Sequence, residues 1–187
     1  LGLMTPSEGL NLSYLPSLPP AGEVGLVSQS PGLSCTIIDY VTNAQCGFSH
    51  VIDPGFEQVL TVADYVDMLA FDRKTRCIVL YLESFQQPRK LLSAIRLAAA
   101  NKPVILLKGG QTPGSADIVI NNSGAREDED GVMKRALVRA GALLVTSLKE
   151  LNYAVQAFAM RKDLASELKA LGAKKDFDFV TQQKGMF

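Results

Sequence analysis

The sequence has a single histidine, no excess of charge of either sign and no metal-binding spacing of cysteines. Lys plus Arg and Asp plus Glu both total 19, so no net field would attract nucleic acid or an acidic membrane surface. Cys35, Cys46 and Cys77 show no CxxC spacing, which argues against a disulfide framework or a zinc site and favours a reducing cytosol. No apolar run approaches the roughly 18 residues of a membrane span, and no signal-peptide pattern opens the chain. We therefore expect a cytoplasmic protein that binds neither nucleic acid, nor a membrane, nor a metal.

The chain is long enough for one domain with a sizeable core. Of its 187 residues 47% are hydrophobic, so neither disulfides nor a metal are needed to stabilise it. It begins at Leu1 without a methionine, and its first residues are rich in proline and glycine, which is typical of an extended connector. We interpret it as a piece of a longer protein, with a linker at 1–22, a domain at 23–155 and a C-terminal helix and tail at 156–187.

Short apolar segments alternate with helical periods after the connector. The helical periods have apolar residues at four-residue spacing, as at Leu33, Ile37 and Val41, and Ser147 and Glu150 fit a capping box for a last helix. Most of the segments between them are continuously apolar rather than alternating, as in strands of a parallel sheet covered on both faces. They are residues 24–27, 48–52, 77–82, 104–107 and 143–145. The sequence predicts a flavodoxin-like, doubly wound α/β fold with a five-stranded parallel sheet and a site at the strands' carboxyl ends.

Two of these strand ends carry polar residues that could form a site. Glu83 directly follows the most apolar strand and could orient a partner, although an isolated acid at a strand end is more often solvated. The first strand leads into a helix start whose free N–H groups and dipole could hold a phosphate. An ordinary N-cap followed by proline explains the same residues, and proline removes one donor. This helix-start segment is Ser28, Gln29, Ser30, Pro31 and Gly32.

The segment from Gly109 to Glu129 is about twenty residues long, well beyond the usual strand-to-helix loop, and so is typical of a functional loop. Acids at 127–130 would complement the dipole of the following helix, and they would also repel an arriving phosphoryl group. The only histidine, His50, lies in or next to the second strand without an obvious acid neighbour, which favours a structural role. The centre of the long segment contains Asn121, Asn122, Ser123 and Gly124.

Motifs spread over residues 1–155 match those of a known family. In this order they resemble the NDP-forming acyl-CoA synthetases, which include the α subunit of succinyl-CoA synthetase. The resemblance implies the flavodoxin-like second domain of such an enzyme, with a CoA-binding Rossmann domain and ATP-grasp domains or subunits as partners. CoA or acyl-CoA and ATP or ADP would bind to the intact parent, with no cofactor held by this chain alone. The motifs are Leu1-Gly2-Leu3-Met4 with Pro6, Pro20-Ala21-Gly22-Glu23-Val24, Val27-Ser28-Gln29-Ser30, Gly47-Phe48-Ser49-His50, Leu80-Tyr81-Leu82-Glu83, Asn101-Lys102-Pro103-Val104-Ile105 and Arg139-Ala140-Gly141.

The resemblance also implies a histidine in the long loop that is phosphorylated during the reaction, in a Ser-His-Thr-Gly-Ala setting. The matching position here is Asn122, within Asn121-Asn122-Ser123-Gly124-Ala125. A phosphoryl acceptor needs a nitrogen lone pair that is available at neutral pH, whereas the lone pair of an amide nitrogen is delocalised into its carbonyl. Asn122 can therefore bind a ligand, but it cannot relay a phosphoryl group.

Other positions depart from the family in the same direction. The family has a glycine after Ser-Gln-Ser, a Gly-Asn followed by acids, and a basic residue after the fourth strand. Glu83, which in the family contacts the phosphohistidine, is retained. A similar loss of the histidine occurs in bacterial protein lysine acetyltransferases that fuse a synthetase-like region to a GNAT domain, where the region resembles a regulatory acyl-CoA-binding module. The replacements here are Pro31, Phe56 after Gly55, Val59 and Thr61 at the acid positions, and Gln111.

Three hypotheses about function follow. The first is a catalytically silent module that senses or holds acyl-CoA within a larger protein. The second is a domain of an active ligase in which His50 or a residue of another domain replaces the missing acceptor. The third is a scaffold whose last helix docks a neighbouring domain or a second copy through an apolar stripe of Leu151, Val155 and Phe158.

Overall fold

The computed structural model describes residues 1–109 and 130–158, and these residues form a mixed sheet flanked by helices. Residues Leu1–Gln156 form one compact unit, and Ala157–Phe187 form a second, of which only residues 157 and 158 are described. The strands are β1 (Gly2–Thr5), β2 (Leu10–Ser13), β3 (Ala21–Ser28), β4 (Phe48–Ile52), β5 (Cys77–Leu82), β6 (Val104–Lys108) and β7 (Leu143–Val145). The helices are α1 (Pro31–Asn43), α2 (Val62–Phe71), α3 (Pro88–Ala99), α4 (Asp130–Arg139) and α5, residues 148–158. None of the described helices is long and apolar enough to cross a membrane.

The strand order is β2-β1-β4-β3-β5-β6-β7. Five neighbouring strands, β4-β3-β5-β6-β7, pair in parallel. Leu26 of β3 lies opposite both Val51 of β4 and Val79 of β5. Numbered along the chain, these five strands have the 2-1-3-4-5 order of flavodoxin-like sheets. Their carboxyl ends therefore meet at one edge of the sheet, here called the carboxyl edge, and the opposite edge is called the amino edge.

All five strands that the sequence predicts are present within the described residues. Every residue of β5 and of β6 is buried, which explains why these strands, apart from Lys108 at the end of β6, are continuously apolar rather than alternating. The helices bury one face each, as in α3, where Leu91, Ala94 and Ile95 lie in the core. This arrangement confirms a parallel sheet covered by helices.

The segment interpreted as an extended connector forms two strands, which corrects that interpretation of its backbone. β1 pairs antiparallel with β4, with Met4 opposite Val51, and β2 pairs antiparallel with β1. Met4 is fully buried, so β1 belongs to the core of the sheet. Each strand has only four residues, and the glycines and prolines beside them, such as Gly9 at φ +68°, serve the turns between strands. The turn residues were visible in the sequence, but the short strands between them were not.

Two of the three residues in the apolar stripe of α5, Leu151 and Val155, are buried and Phe158 is half-buried, so the scaffold hypothesis stays a prediction. Leu151 and Val155 are both almost completely inaccessible to solvent, so they are not available to dock another domain or a second copy. Ser147 caps this helix as predicted, because its hydroxyl accepts the N–H of Glu150 at 3.2 Å. The carboxylate of Glu150 accepts the N–H and hydroxyl of Thr146 rather than the N–H of Ser147. One of the two hydrogen bonds of the expected capping box is thus present, and in the other Glu150 accepts from Thr146 instead of from Ser147.

Candidate functional site

The side chain of Gln29 connects three strand ends at the carboxyl edge. Its Oε1 accepts the backbone N–H of Glu83 at 2.6 Å and that of Ser84 at 3.0 Å, both directly after β5. Its Nε2 donates to a carboxylate oxygen of Glu57, in the segment after β4. A side-chain amide that uses both its acceptor and its donor has one defined orientation. Gln29 therefore fixes the ends of β3, β4 and β5 relative to one another.

The serines of the helix-start segment bond to each other and to the helix. Ser28 is fully buried, and its hydroxyl donates to the carbonyl of Ser30 at 3.0 Å and accepts the N–H of Ser30 at 3.2 Å. Ser30 is the N-cap of α1, with its hydroxyl 3.4 Å from the N–H of Leu33, and Pro31 occupies the first helical position. An added Cβ at Gly32 would meet nothing within 4 Å. The segment is thus a capped helix start that faces open space at Gly32.

Tyr81, Glu83 and Lys108 form a polar cluster where β5 and β6 end. Together with Gln29 they are here called the strand-end cluster. The hydroxyl of Tyr81 donates to a carboxylate oxygen of Glu83 at 3.3 Å. The Nζ of Lys108 donates to the carbonyls of Glu83 at 3.0 Å and Gly109 at 2.9 Å, and it lies 5.4 Å from the ring centre of Phe85. Lys108 is only 3% exposed. Sequence reasoning missed this lysine, although a cation that ends an apolar strand is a signal that could have identified it.

Burial sets the protonation of this cluster. Partial burial raises the pKa of Glu83, and the hydrogen bond from Tyr81 and the charge of Lys108 offset this only in part. Burial also raises the pKa of Tyr81, with a smaller contribution from the adjacent Glu83 carboxylate. A Cβ at Gly109 would lie 2.4 Å from the Tyr81 hydroxyl, so only glycine allows the start of the long segment to pass this close. The cluster can hold a proton on Glu83 more readily than an exposed carboxylate can.

The residues after β4 form an exposed turn, residues 54–60, here called the apolar turn. Together with Tyr65 of α2 it lines an open groove of about 340 Å³. Phe56 is 95% exposed and Val59 is 90% exposed. Both oxygens of Glu57 are used, one by Gln29 and the other by the N–H of Val62 at 3.0 Å. The turn is therefore attached to the strand-end network although its apolar side chains point into solvent.

Comparison with known proteins identifies the family. The model of the succinyl-CoA ligase like flavodoxin domain matches residues 21–158. The chain belongs to this family. The match includes every element from β3 onwards that carries the site described above, and the sequence resemblance to NDP-forming acyl-CoA synthetases is thereby confirmed.

The curated relatives of this succinyl-CoA ligase like domain are much longer proteins. The 4-hydroxybutyrate–CoA ligase [ADP-forming] of Nitrosopumilus maritimus is 29% identical over 152 residues, which are 80% of this chain and 22% of the relative. The acetate–CoA ligase [ADP-forming] of Methanocaldococcus jannaschii is 28% identical over 166 residues, 89% and 23% of the two chains. A trans-feruloyl-CoA synthase of an unknown prokaryotic organism is 32% identical over 136 residues, 71% and 19%. The chain thus spans less than a quarter of the length of these relatives.

A solved structure has the same fold. The dinucleotide forming acetyl-coenzyme A synthetase 1 of Ca. Korarchaeum cryptofilum, in complex with phosphate and ADP, superposes with a TM-score of 0.72. The two chains are 24% identical, and the likeness covers 81% of this chain and 33% of the synthetase. It confirms the flavodoxin-like α/β fold of the domain.

His50 does not lie with the strand-end cluster of this succinyl-CoA ligase like domain. Its Nδ1 is 3.5 Å from a carboxylate oxygen of Asp72, an ion-pair distance when the ring is protonated. Asp72 follows the end of α2 and precedes β5, so this pair faces the amino edge. The expectation that His50 has no acid neighbour was wrong, because α2 returns along the sheet and brings Asp72 beside it. Among the described residues no group of three or more His, Cys, Asp or Glu is placed to hold a metal ion.

Several predicted site residues lie outside the described residues. They belong to the long segment between β6 and α4. Thr61, at a position where the family has an acid, is described, and it caps α2 through reciprocal hydrogen bonds with Asp64. The predicted positions outside the described ranges are Gln111, Asn121, Asn122, Ser123 and Gly124.

Proposed function

We propose that this domain binds an acyl-CoA thioester within a larger acyl-CoA synthetase-like protein and does not relay a phosphoryl group. The observation that carries the proposal is the position of the only histidine. His50 pairs with Asp72 toward the amino edge, whereas Gln29, Glu83 and Lys108 lie at the carboxyl edge. The strand-end cluster therefore has no imidazole from this chain to accept a phosphoryl group.

The residues of the strand-end cluster are suited to binding rather than to nucleophilic attack. The nitrogen of Gln29 is an amide engaged with Glu57, and the Nζ of Lys108 is buried against two carbonyls. The Nζ of Lys108 is held against backbone carbonyls rather than turned toward a ligand, and an amide has no available nitrogen lone pair. Asn122 has the same limitation at the position that matches the family's histidine. Hydrogen bonding of a carbonyl or amide group is the chemistry that these residues support.

The intact parent supplies the remaining parts of the proposal. We expect CoA or acyl-CoA and ATP or ADP to bind there, with CoA-binding Rossmann and ATP-grasp domains as partners. The relatives are CoA ligases that form ADP, which supports this expectation, and the chain spans less than a quarter of their length. A regulatory role in a bacterial protein lysine acetyltransferase fits a domain of this kind best. The odd number of cysteines and the lack of a CxxC spacing favour a cytoplasmic protein.

A phosphorylation assay tests the proposal directly. The intact parent is incubated with γ-labelled ATP, CoA and a short-chain acid, and acid-labile protein-bound phosphate is measured. We expect no phosphoprotein above the background of a parent heated before the incubation. Stoichiometric, acid-labile phosphate would contradict the proposal, and mapping it to a residue would show which acceptor replaces the histidine.

Retention of Glu83 favours a second candidate, an active ligase whose acceptor comes from another domain. Glu83 is held in place through its backbone N–H by Gln29 and has a raised pKa, as a group used in catalysis often has. This candidate predicts that the parent forms acyl-CoA and that Glu83→Gln abolishes the reaction. His50→Ala should leave that reaction unchanged, because His50 faces the amino edge. A parent without ligase activity on any short-chain acid would rule the candidate out.

A further inference from the structure

The apolar turn exposes side chains that a soluble protein normally covers. Phe56 and Val59 are almost fully exposed, and Leu60 is half exposed beside them. Apolar residues that are exposed together, rather than singly, are typical of an interaction surface. With Tyr65 they line an open, shallow groove of about 340 Å³.

The apolar turn is held in position by its own hydrogen bonds. The N–H of Gly55 donates to the carboxylate of Asp53 at 2.9 Å, and the N–H of Glu57 donates to the carbonyl of Pro54 at 3.3 Å. Glu57 has a positive φ of 53°, an unfavourable conformation for a residue with a Cβ, and its two carboxylate oxygens bond to Gln29 and Val62. The exposure of Phe56 and Val59 is therefore built into a fixed turn.

The charge of the groove limits what it can hold. Glu57 is the only acid among the residues that line it, and those residues include no lysine, arginine or histidine. A ligand group that carries a carboxylate or a phosphate would meet the charge of Glu57 without a cation to compensate it. An uncharged aliphatic or aromatic group would instead cover Phe56 and Val59. The groove is thus suited to the apolar end of a ligand.

The side chain of Gln29 links the apolar turn to the strand ends through hydrogen bonds. The same side chain bonds to Glu57 of the turn and to the backbone of Glu83 and Ser84. We propose that the apolar turn holds the acyl end of the thioester bound at the strand ends, and that it selects an uncharged acyl group over one that ends in a carboxylate. This inference rests on the proposed function and adds the class of acyl group to it.

Three pantetheine probes test the inference on the 187-residue chain, with backbone amide chemical shifts as the readout. The probes are pantetheine, hexanoyl-pantetheine and succinyl-pantetheine. We expect hexanoyl-pantetheine to shift the amides of residues 55–60 and to bind about tenfold more tightly than succinyl-pantetheine, because only the apolar chain is compatible with the groove. Equal affinities for the two thioesters, or no shifts at residues 55–60, would overturn the inference.

Variants of the turn provide matched controls. Phe56→Ser should weaken hexanoyl-pantetheine to the affinity of pantetheine alone, whereas Phe71→Ser, which changes an exposed phenylalanine at the end of α2, should leave it unchanged. Val59→Lys adds a cation to the groove and should reverse the preference toward the succinyl probe. Unchanged hexanoyl affinity in Phe56→Ser would overturn the inference.

The same titrations separate this inference from the proposed function. If the probes shift the amides of Glu83 and Ser84 but not those of residues 55–60, the acyl assignment is wrong and the thioester site stands. If no probe shifts either set of amides in the 187-residue chain, the acyl assignment is wrong, and the proposed function is decided separately by the phosphorylation assay on the intact parent. If the intact parent forms phosphohistidine while hexanoyl-pantetheine still occupies the turn, the silent-module proposal alone is wrong.

Discussion

Two partly buried carboxylates, one at each edge of the sheet, are shifted in opposite directions. Burial raises the pKa of Asp72, but hydrogen bonds from the Thr75 hydroxyl and the Lys74 N–H, with the charges of His50 and Lys102, outweigh it and lower the pKa overall. Burial also raises the pKa of Glu83, and there the partners do not compensate. The two carboxylates therefore have different environments, with more hydrogen bonds to Asp72 than to Glu83.

The comparison distinguishes a closed edge from an open one. At the amino edge, the hydroxyls of Ser49 and Thr75 lie 2.7 Å apart. The Nζ of Lys102 donates to two carbonyls at the end of α2, those of Leu69 and Asp72. These polar groups satisfy each other and the backbone. At the carboxyl edge, Glu83 has one long side-chain hydrogen bond, and the apolar turn is uncovered. Among the described residues, polar contacts therefore stabilise the fold at the amino edge, and the carboxyl edge is where we propose that a ligand binds.

The largest expected effect is at the amino edge. A Cβ at Gly22 would lie 2.4 Å from the backbone of Gly47, where β3 passes the start of β4. Because backbone atoms cannot move aside as a flexible side chain can, Gly22→Ala should lower the free energy of unfolding by about 2–3 kcal/mol in urea titrations. Gly32→Ala, in open space within α1, is the control and should be neutral or stabilising by up to about 1 kcal/mol. Equal stability of the two variants would show that the edge is not closed by this contact.

Lys102 should have the next largest effect. Its Nζ donates to the carbonyls of Leu69, at 2.6 Å, and Asp72, the last groups of α2. Lys102→Met keeps most of the aliphatic stem and removes both charge-assisted hydrogen bonds, so the free energy of unfolding should fall by about 1.5–3 kcal/mol. Lys74→Met, which changes an exposed lysine of the same edge, should shift the urea midpoint far less. A loss as small as that of Lys74→Met would mean that α2 does not depend on this cap.

Substitution of the two carboxylates should change the pH dependence of stability with opposite signs. Glu83 binds its proton more tightly in the folded chain than in the unfolded chain. Its contribution to stability is therefore fully present below pH 4.5 and is lost as the pH rises through the raised pKa of the folded state. Asp72 has the reverse linkage, since its stabilisation is present above 3.8 and is lost as pH falls through the lowered pKa. Glu83→Gln should therefore stabilise the protein at pH 7, and Asp72→Asn should destabilise it.

Urea titrations at pH 7 and at pH 3.5 measure both effects. Each difference from the wild-type protein should be about 1 kcal/mol or less, because solvent screens both groups, and each should shrink at the lower pH. Destabilisation of similar size by Glu83→Gln at pH 7 would remove the distinction between the two edges.

The parallel sheet could be predicted from sequence because its cause is local. The predicted strand segments at 48–52, 77–82 and 143–145 have the same bounds as β4, β5 and β7. β1 and β2 could not be predicted in this way, because four-residue strands between turn glycines and prolines have too few positions to show a period. Their position in the sheet depends on pairing with β4, which is distant along the chain.

The sequence predicted the local structure of the site only where a short pattern has one common structural role, such as a helix cap. Ser30 before Pro31 indicated a cap, and the cap is present. The bridge from Gln29 to Glu57 joins residues 28 positions apart, and His50 meets Asp72 only because α2 returns along the sheet. Such contacts are set by the packing of helices on strands rather than by local pattern. Lys108 was missed because a buried cation is uncommon, and its carbonyl partners cannot be read from the sequence.

The smallest expected effects are at the exposed ion pairs, where the two edges should behave alike in stability but not in titration. Lys90 lies 2.7 Å from Asp64, whose pKa is lowered to about 2 first by Lys90 and then by the N–H and hydroxyl of Thr61. Lys90→Met should cost less than about 0.5 kcal/mol, since exposed pairs are screened. Glu8, at the other edge, has a lowered pKa that depends mainly on Lys74.

Carboxylate titrations followed by NMR distinguish the two cases. In Lys90→Met the pKa of Asp64 should rise but stay below 3.8, because Thr61 still donates two hydrogen bonds to it. In Lys74→Met the pKa of Glu8 should return close to 4.5. Full return of Asp64 to 3.8 would mean that the capping box of α2 depends on Lys90. In that case the start of α2 would depend on the surface ion pair between Lys90 and Asp64. The fixed conformation of the apolar turn, which directly precedes α2, would then require a different explanation.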